Sequence, residues 1–515
     1  MAKTAYSPPP NPQPHPHPQP DPHSPDHFPD HLADHFPDAA IPRTRSHAWT
    51  MALTTERPRP RRIREAPNSW WLAIATVCFG AFMGQLDASI ATLTYGSLSA
   101  QFHASSAAVS WVSLGYMLVL VALLVPVGRY SDAHGRKLCY LYGFIVFTAA
   151  SAACGLAPSL TTLIVFRLIQ AFGAALLQAN SVALVTTSAP RPRMRAALGV
   201  QAGAQALGLA LGPALGGVIV STVGWRWVFL INVPVGIVAV VAGQYLLPRT
   251  RTKAPADSFD WLGLALLALS STALLLGISA ASGLNLPGYA TGALFISSAA
   301  ATYGFWRRIS TARHPLVNPL LLRTRQISAG LVGALGGYLV LFGPLVLVPD
   351  VFGTHQTAKA GLVLTALPLG FAAAALGANR VLPPTWTDRR RAMTGSAVAV
   401  LALLALIPLP FTPAALMPMF ALLGLGLGTF TPANNTLVMA AVPPQAAGTG
   451  GGLVNMGRGL GTALGVALVT LTLYLVPNIQ HAAHIAIAVL AVVALGVYLS
   501  NLLHPSHPAS PAAHD

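Results

Sequence analysis

Charged side chains within apolar sequence are the first candidates for chemistry in this 515-residue chain. Asp87 lies seventeen residues after Trp70, where the first apolar run begins, and that distance is about 26 Å along a helix at about 1.5 Å per residue. A charged carboxylate inside hydrocarbon costs several kcal/mol, which favours exchange of a proton. The sequence therefore predicts proton binding at Asp87. The alternative is a structural acid held by Gln85, Ser89, Thr92 or a facing arginine.

Two arginines also interrupt apolar sequence. The same desolvation cost predicts that Arg167 faces the interior of a helix bundle and finds a partner there. An arginine facing Asp87 would favour the charged carboxylate, and its departure would favour the protonated acid. A static ion pair and a guanidinium bonded to backbone carbonyls are the alternatives. For Arg458, helix packing and contact with an anion are equally open.

The composition is that of a polytopic membrane protein: 54% of residues are hydrophobic, 9% are charged, and the mean hydropathy is +0.59. The net charge of +16 comes from basic residues in short loops, so it predicts membrane topology and no nucleic-acid partner. A membrane enzyme or sensor is the rival class. It is disfavoured because the sequence contains no GxxxxGK[ST], HExxH or paired-carboxylate pattern. We therefore expect no enzyme activity, no metal site and no cofactor besides the proton.

Apolar runs of roughly transmembrane length follow one another from Trp70 to the end of the chain. We count fourteen, which predicts an all-α integral membrane fold. If the N terminus is cytoplasmic, eighteen Lys or Arg residues fall in inner loops and two in outer loops. The positive-inside rule thus places both termini in the cytoplasm of a multi-pass protein in the plasma membrane.

The runs group into five predicted regions. Residues 1–66 are rich in Pro and His and predict a disordered cytoplasmic tail, with a weak metal-responsive tail as the alternative. Two six-helix bundles are expected at 67–247 and 326–503. Residues 248–325 would hold two extra helices, and 504–515 would form a C-terminal tail.

Glycines mark a loop and a helix face. The loop GRYSDAHGRK lies between the second and third runs. Asp132 in this loop could accept from the free N–H groups that start the third helix, and nearby basic residues would favour lipid headgroups. In the fifth run three glycines are spaced four residues apart, and a fourth glycine directly follows the last of them. This spacing predicts close helix packing or a barrier to leakage. The residues singled out are Gly128, Asp132, Gly135, Arg136 and Lys137 in the loop, and Gly208, Gly212, Pro213, Gly216 and Gly217 in the run.

Polar or aromatic side chains inside the runs are candidates for a substrate path, although several will only join neighbouring helices. A ThrProAlaAsnAsn sequence is expected to break the twelfth helix. The candidates are Gln85, Tyr116, Gln170, Gln205, Asn434, Asn435, Asn455 and Arg458. With one carboxylate and two arginines, this path is better suited to neutral, monocationic or anionic lipophiles than to dications.

Several of these segments together resemble motifs of the major facilitator superfamily. Residues 128–137 resemble its loop signature G-x-L-A-D-R-x-G-R-R/K, from which Tyr130, Ser131 and Ala133 depart; Ala133 stands in place of the usual arginine. LeuAspAlaSerIle at 86–90, ArgLeuIleGlnAlaPheGly at 167–173, residues 208–217 and residues 225–236 are similar to motifs of its fourteen-helix drug:proton antiporters. The resemblance covers residues 70 to about 475.

This resemblance implies two six-helix bundles with two extra central helices, and a proton-coupled antiporter that exports lipophilic small molecules by alternating access. Metabolite uptake or proton symport by the same fold is the alternative. A coupling role for Arg167 is implied, as is a cytoplasmic latch formed by residues 128–137, for which Arg380 and Arg389–Arg391 are a possible counterpart. A bacterial source and function as a monomer are also expected.

Overall fold

The computed structural model describes residues 55–66, 68–255, 259–281, 286–352 and 357–502. Fourteen long helices account for most of these residues. They are α1 (Ser69–Ile90), α2 (Ser106–His134), α3 (Arg136–Gly155), α4 (Leu160–Ser188), α5 (Met194–Thr222), α6 (Asn232–Leu246), α7 (Trp261–Ala281), α8 (Gly288–Thr311), α9 (Arg325–Phe352), α10 (Thr357–Val381), α11 (Asp388–Leu406), α12 (Pro413–Ala441), α13 (Ala447–Leu475) and α14 (Ile479–Leu502).

Twelve helical segments of the described chain are long and apolar enough to cross a membrane. Helices α8 and α11 are the two long helices outside that group. Glycine, serine, threonine and tyrosine dilute the apolar content of α8, and α11 begins with four consecutive charged residues. The all-helical membrane fold is therefore confirmed, whereas fourteen crossings remain a prediction.

The helix pairings of the first six helices recur in the last six. Helix α1 packs on α5 as α9 packs on α13, and α3 packs on α4 as α11 packs on α12. Helix α2 contacts α4 as α10 contacts α12, and α6 contacts α3 as α14 contacts α11. The chain thus contains two similar six-helix bundles. Helices α7 and α8 pack on each other, and α7 lies against α2 and α13.

The two bundles meet along two symmetrical seams. Helix α2 contacts α13, and α5 contacts α10. Glycines permit the close approach: a Cβ on Gly452 would clash with the backbone of Leu124, and one on Gly199 would meet the carbonyl oxygen of Ala375. Because these contacts depend on missing side chains, they bring the two backbones close together.

The regular glycines of α5 and α13 serve packing within each bundle. A Cβ on Gly208 would lie 2.5 Å from the carbonyl oxygen of Phe82 in α1, and one on Gly465 would meet the backbone of Leu339 in α9. Each glycine face therefore holds one helix of its own bundle. The expected break of the twelfth helix is wrong, because α12 continues through Pro432.

The first described residues belong to the region predicted to be a disordered tail. They form a short segment that packs against the start of α3. The Glu56 carboxylate is buried and accepts from the backbone N–H and the hydroxyl of Thr250, at 2.6 and 2.9 Å. Lys137 Nζ donates to the carbonyl oxygens of Arg57 and Gln244 at 2.9 and 2.8 Å. Residues 56 and 57 thus belong to the bundle, and the tail prediction for residues 1–54 lies outside the described residues.

We expect Glu56→Ala to lower the stability of the purified protein by about 1–3 kcal/mol, because it leaves buried backbone donors without an acceptor. Thermal unfolding in detergent measures the effect. Glu65→Ala is the matched control, since Glu65 makes an exposed pair with Arg61. A deletion of residues 2–54 keeps Glu56 and should leave the melting temperature unchanged, whereas a deletion of 2–60 should lower it. Equal stability of the two deletions would contradict the assignment.

Candidate functional site

A buried network of charged and amide side chains surrounds Asp87 in the first bundle. The Asp87 carboxylate accepts from Arg167 Nη1 at 2.6 Å, from Gln170 Nε2 at 3.0 Å and from Asn232 Nδ2 at 3.0 Å. Each of these residues is at most 2% exposed. Three donors converge on this carboxylate, an arrangement that suits an ion pair with Arg167.

Arg167 is held on several sides by groups of the same bundle. Its Nε donates to the carbonyl oxygen of Val112 at 3.1 Å, and its Nη1 also donates to Gln170 Oε1 at 2.6 Å. The guanidinium lies over the rings of Tyr116 and Phe229, 4.2 and 5.5 Å from their centroids. These cation–π contacts and hydrogen bonds offset part of its desolvation cost.

The network joins five helical elements. Asp87 comes from α1, Val112 and Tyr116 from α2, Arg167 and Gln170 from α4, and Asn232 from the start of α6. The sequence pattern did not single out Asn232, nor Ser151 of α3, whose hydroxyl accepts from Gln170 Nε2 at 2.7 Å. The sequence signal available for both residues was an uncharged polar side chain in an apolar run. That signal is weak, because many such side chains only form hydrogen bonds within their own helix.

A second polar region lines a cavity of about 120 Å³ between the bundles. Of the substrate-path candidates, the lining includes Gln85, Tyr116, Gln205, Asn455 and Arg458, together with the aromatic rings of Tyr338 and Phe342.

Three other substrate-path candidates do not line this cavity, and their place on the path remains a prediction. Gln170 belongs to the Asp87 network. Asn434 donates to the carbonyl oxygen of Gly330 in α9 at 2.9 Å, and neither it nor Asn435 is among the cavity-lining residues of the described chain. Asn434 and Asn435 both lie on α12, and sequence alone does not tell which face of a buried helix meets the cavity.

Tyr116 connects the two regions. Its ring stacks under the Arg167 guanidinium and also lines the cavity, and it is 1% exposed. Asp87 and Arg167 are not among the described lining residues. The ion pair is thus separated from the cavity by a side chain that contacts both.

Residues 128–137, predicted to be a loop, are helical except at Gly135: residues 128–134 end α2, and Arg136 and Lys137 begin α3. The contacts of this segment with the second bundle, together with the pair Arg195–Asp388, are called the inner latch here, after the cytoplasmic position that the sequence predicts for the segment. Asp132 accepts from the backbone N–H groups of Gly448 and Thr449, both at 2.7 Å, and from the Thr449 hydroxyl at 2.8 Å. Arg136 pairs with Asp132 at 2.8 Å and donates to the carbonyl oxygen of Pro444. Asp132 therefore caps α13 of the other bundle, which corrects the expectation that it caps α3.

Glycine is required on both sides of this contact. A Cβ on Gly128 would meet the backbone of Gly448, and Gly135 adopts a φ of 124°, a conformation that side chains disfavour. The loop signature thus sets how closely α2 and α13 approach. Ala133 does not take part in the described hydrogen bonds of the latch.

The other half of the inner latch joins α5 to α11 through the ion pair Arg195–Asp388. This corrects the expected counterpart of the loop. Arg391 donates to carbonyl oxygens and Asn379 of its own bundle, and Arg389 donates to the carbonyl oxygen of Leu502. Arg380 is exposed. The basic cluster after α10 therefore shapes its own bundle, and a single acid, Asp388, makes the link.

The antiporter-like segment of α5 faces α1 beside Asp87. A Cβ on Gly212 would clash with Ser89, and one on Gly216 would meet Ile90 and Leu93. Gly217 has open space around it, so it is not required for packing. The backbone of Pro213 lies within α5, and its side chain lies outside the described positions.

The fold and these two polar regions define a membrane transporter built from two similar bundles around a central cavity. The sequence profile of the Major Facilitator Superfamily matches residues 77–466. This chain belongs to that superfamily of transporters, and it is therefore a transporter and not an enzyme.

Curated relatives include a riboflavin transporter of Clostridioides difficile (strain 630), 30% identical over 77% of this chain and 87% of that protein. A tetracenomycin C resistance and export protein of Streptomyces glaucescens is 29% identical over 77% of this chain and 75% of its own. Among solved structures, the human organic anion transporter MFSD10 aligns with a TM-score of 0.62 at 17% identity, over 85% of this chain and 100% of that one. The last likeness concerns the fold alone.

We expect a reducible bis(methanethiosulfonate) cross-link between Arg195→Cys and Asp388→Cys to lower the transport rate at least about tenfold, because it ties the two bundles together at the inner latch. Fluorescein and rhodamine 6G serve as anionic and cationic probes in liposomes, with the three native cysteines replaced by alanine. Reduction should restore the rate, and the single-cysteine variants are the controls. Full transport by protein shown to be cross-linked would contradict a latch that must open.

Proposed function

We propose that the protein is a proton-coupled antiporter that exports lipophilic small molecules across the cytoplasmic membrane by alternating access. The observation that carries the proposal is the sealed Asp87–Arg167 pair beside the cavity. A buried ion pair adds little to stability compared with apolar packing, so its presence in a bundle core calls for another reason. Exchange of one proton supplies that reason.

The proposed cycle turns on whether Arg167 remains on Asp87. In the described state the inner latch is closed and the pair is formed. Movement of Arg167 toward Tyr116 would leave the carboxylate without its countercharge, and Asp87 would then take a proton from the outer side. Return of Arg167 after the bundles rock would expel that proton to the inner side. No cofactor other than the proton is required.

Helix α5 provides a physical link between bundle movement and Asp87. At its inner end Gly199 lies against α10 of the second bundle, and further along Gly208 and Gly212 lie against α1. A shift of the bundles at the inner seam would therefore move the surface on which α1 rests. This link is proposed from packing, and its coupling requires measurement.

The energy available fits export against a gradient. One proton that moves inward through a potential of 100 mV contributes about 2.3 kcal/mol, enough for roughly fifty-fold accumulation. Export also agrees with the role of the related tetracenomycin C resistance and export protein. We further propose a monomer with both termini in the cytoplasm of a bacterial cell.

Uptake of a metabolite, or proton symport, is the second candidate, and the relative named as a riboflavin transporter favours it. The direction of transport distinguishes the exporter from the importer. In inverted vesicles an exporter accumulates dye when the lumen is acidified, whereas an importer driven by proton symport releases it. Dissipation of the pH gradient by an uncoupler should abolish either response.

We expect Asp87→Asn to lower proton-driven dye accumulation in inverted vesicles by at least about tenfold, because the amide cannot exchange a proton. Asp350→Asn is the matched control, since Asp350 is an exposed acid near the end of α9. Arg167→Gln should also abolish coupling. Wild-type rates in a well-inserted Asp87→Asn variant would remove Asp87 from the mechanism.

A further inference from the structure

Arg458, like Arg167, is a buried arginine within an apolar helix, but its surroundings differ from those of Arg167. It is 4% exposed and lines the central cavity. Its described hydrogen bonds all come from Nη1, which donates to Asn455 Oδ1 at 3.0 Å and to Gln205 Oε1 at 3.4 Å. Its Nε is buried and has no hydrogen-bond partner.

No carboxylate of the described chain pairs with Arg458. The described ion pairs include one for Arg167, which lies 2.6 Å from Asp87, and none for Arg458. Removing a guanidinium from water without a countercharge is costly, and neutral amide oxygens offset only part of that cost. The first bundle therefore neutralises its arginine, whereas the cavity keeps an uncompensated one.

The rest of the cavity lining does not provide the missing charge. Apart from Arg458, the lining consists of apolar, amide, hydroxyl and aromatic side chains. In a low-dielectric site, one positive charge without an acid nearby attracts anions and repels cations. The cavity is thus electrostatically selective for an anionic group at α13.

Aromatic rings lie beside the charge. The Arg458 guanidinium is 5.1 Å from the centroid of the Tyr338 ring, which stacks with Phe342 at 6.0 Å and an interplanar angle of 22°. Both rings line the cavity, as does Tyr116, whose hydroxyl is buried without a partner. Planar apolar surface next to a positive charge suits an aromatic ring that carries an acidic group.

We propose that the transported substrates are aromatic organic anions, whose carboxylate or ionised phenol binds Arg458 while their rings lie against Tyr338 and Phe342. The inference rests on the proposed function only in assuming that the cavity binds the transported molecule. Arg458 is thereby a substrate-binding residue, and Gln205 and Asn455 position its guanidinium.

The test compares two dyes with the same three-ring core and opposite charge, anionic fluorescein and cationic rhodamine 6G. Fluorescence anisotropy with the purified full-length protein measures both affinities. We expect fluorescein to bind wild type at least about tenfold more tightly than rhodamine 6G. Arg458→Gln should lose about tenfold or more of the fluorescein affinity, the range of a charge-assisted hydrogen bond, and leave rhodamine 6G affinity within about twofold.

Gln205→Glu provides a second variant in case Arg458→Gln does not fold. The new carboxylate would lie within reach of Arg458 Nη1 and neutralise it without removing a side chain, so fluorescein affinity should fall and rhodamine 6G affinity should rise. Arg307→Gln is the control, because Arg307 is exposed on α8. Unchanged dye preference in both cavity variants, or a wild-type preference for the cation, would overturn the proposal.

Asp87→Asn separates this proposal from the proposed antiport. The variant should still bind fluorescein in preference to rhodamine 6G while losing proton-driven accumulation. If Asp87→Asn transports normally and Arg458→Gln still loses fluorescein binding, antiport through Asp87 fails and anion recognition stands. If Asp87→Asn loses proton-driven accumulation but Arg458→Gln keeps the wild-type dye preference, anion recognition at Arg458 fails and antiport through Asp87 stands.

Discussion

The ion pair between Asp87 and Arg167 is the interaction on which the rest of the structure depends. Two opposite charges inside a membrane bundle are tolerable only together, so α1 and α4 must present them to each other at 2.6 Å. Gln170 and Asn232 complete the carboxylate's hydrogen bonds. The glycine face of α5 then brings helix α1 and its acid close to the seam between the bundles.

Carboxylates also join the two bundles at the inner latch. Asp132 binds the N-terminus of α13, and Asp388 binds Arg195 across the second seam. Both contacts are polar and lie beside glycines that let the two backbones approach closely. In the proposed cycle these contacts would break and reform as the bundles alternate between two states. The central cavity would then reach opposite sides in turn, with Arg458 inside it.

Much of this arrangement could be predicted from the sequence, because the membrane restricts what polar residues can do. Asp87 and Arg167 were recognisable as a potential pair from their rarity in apolar runs, and the glycine spacing of α5 indicated a packing face. The partner of Asp132 could not be predicted, since a carboxylate in a loop can cap any nearby helix N-terminus. The contacts of Asn434 could not be predicted either. The sequence pattern is the same whether an amide in a buried helix bonds a neighbouring helix or faces a cavity.

The central claim is that substrate binding and a proton on Asp87 are linked, and proton release on binding tests it most directly. Fluorescein is added to purified protein in weakly buffered detergent solution, and a pH-sensitive dye of distinct colour records the protons released or taken up. The account predicts a proton change in wild type that is absent in Asp87→Asn while fluorescein binding persists. An equal proton change in both proteins, or none in wild type that binds fluorescein, would contradict it.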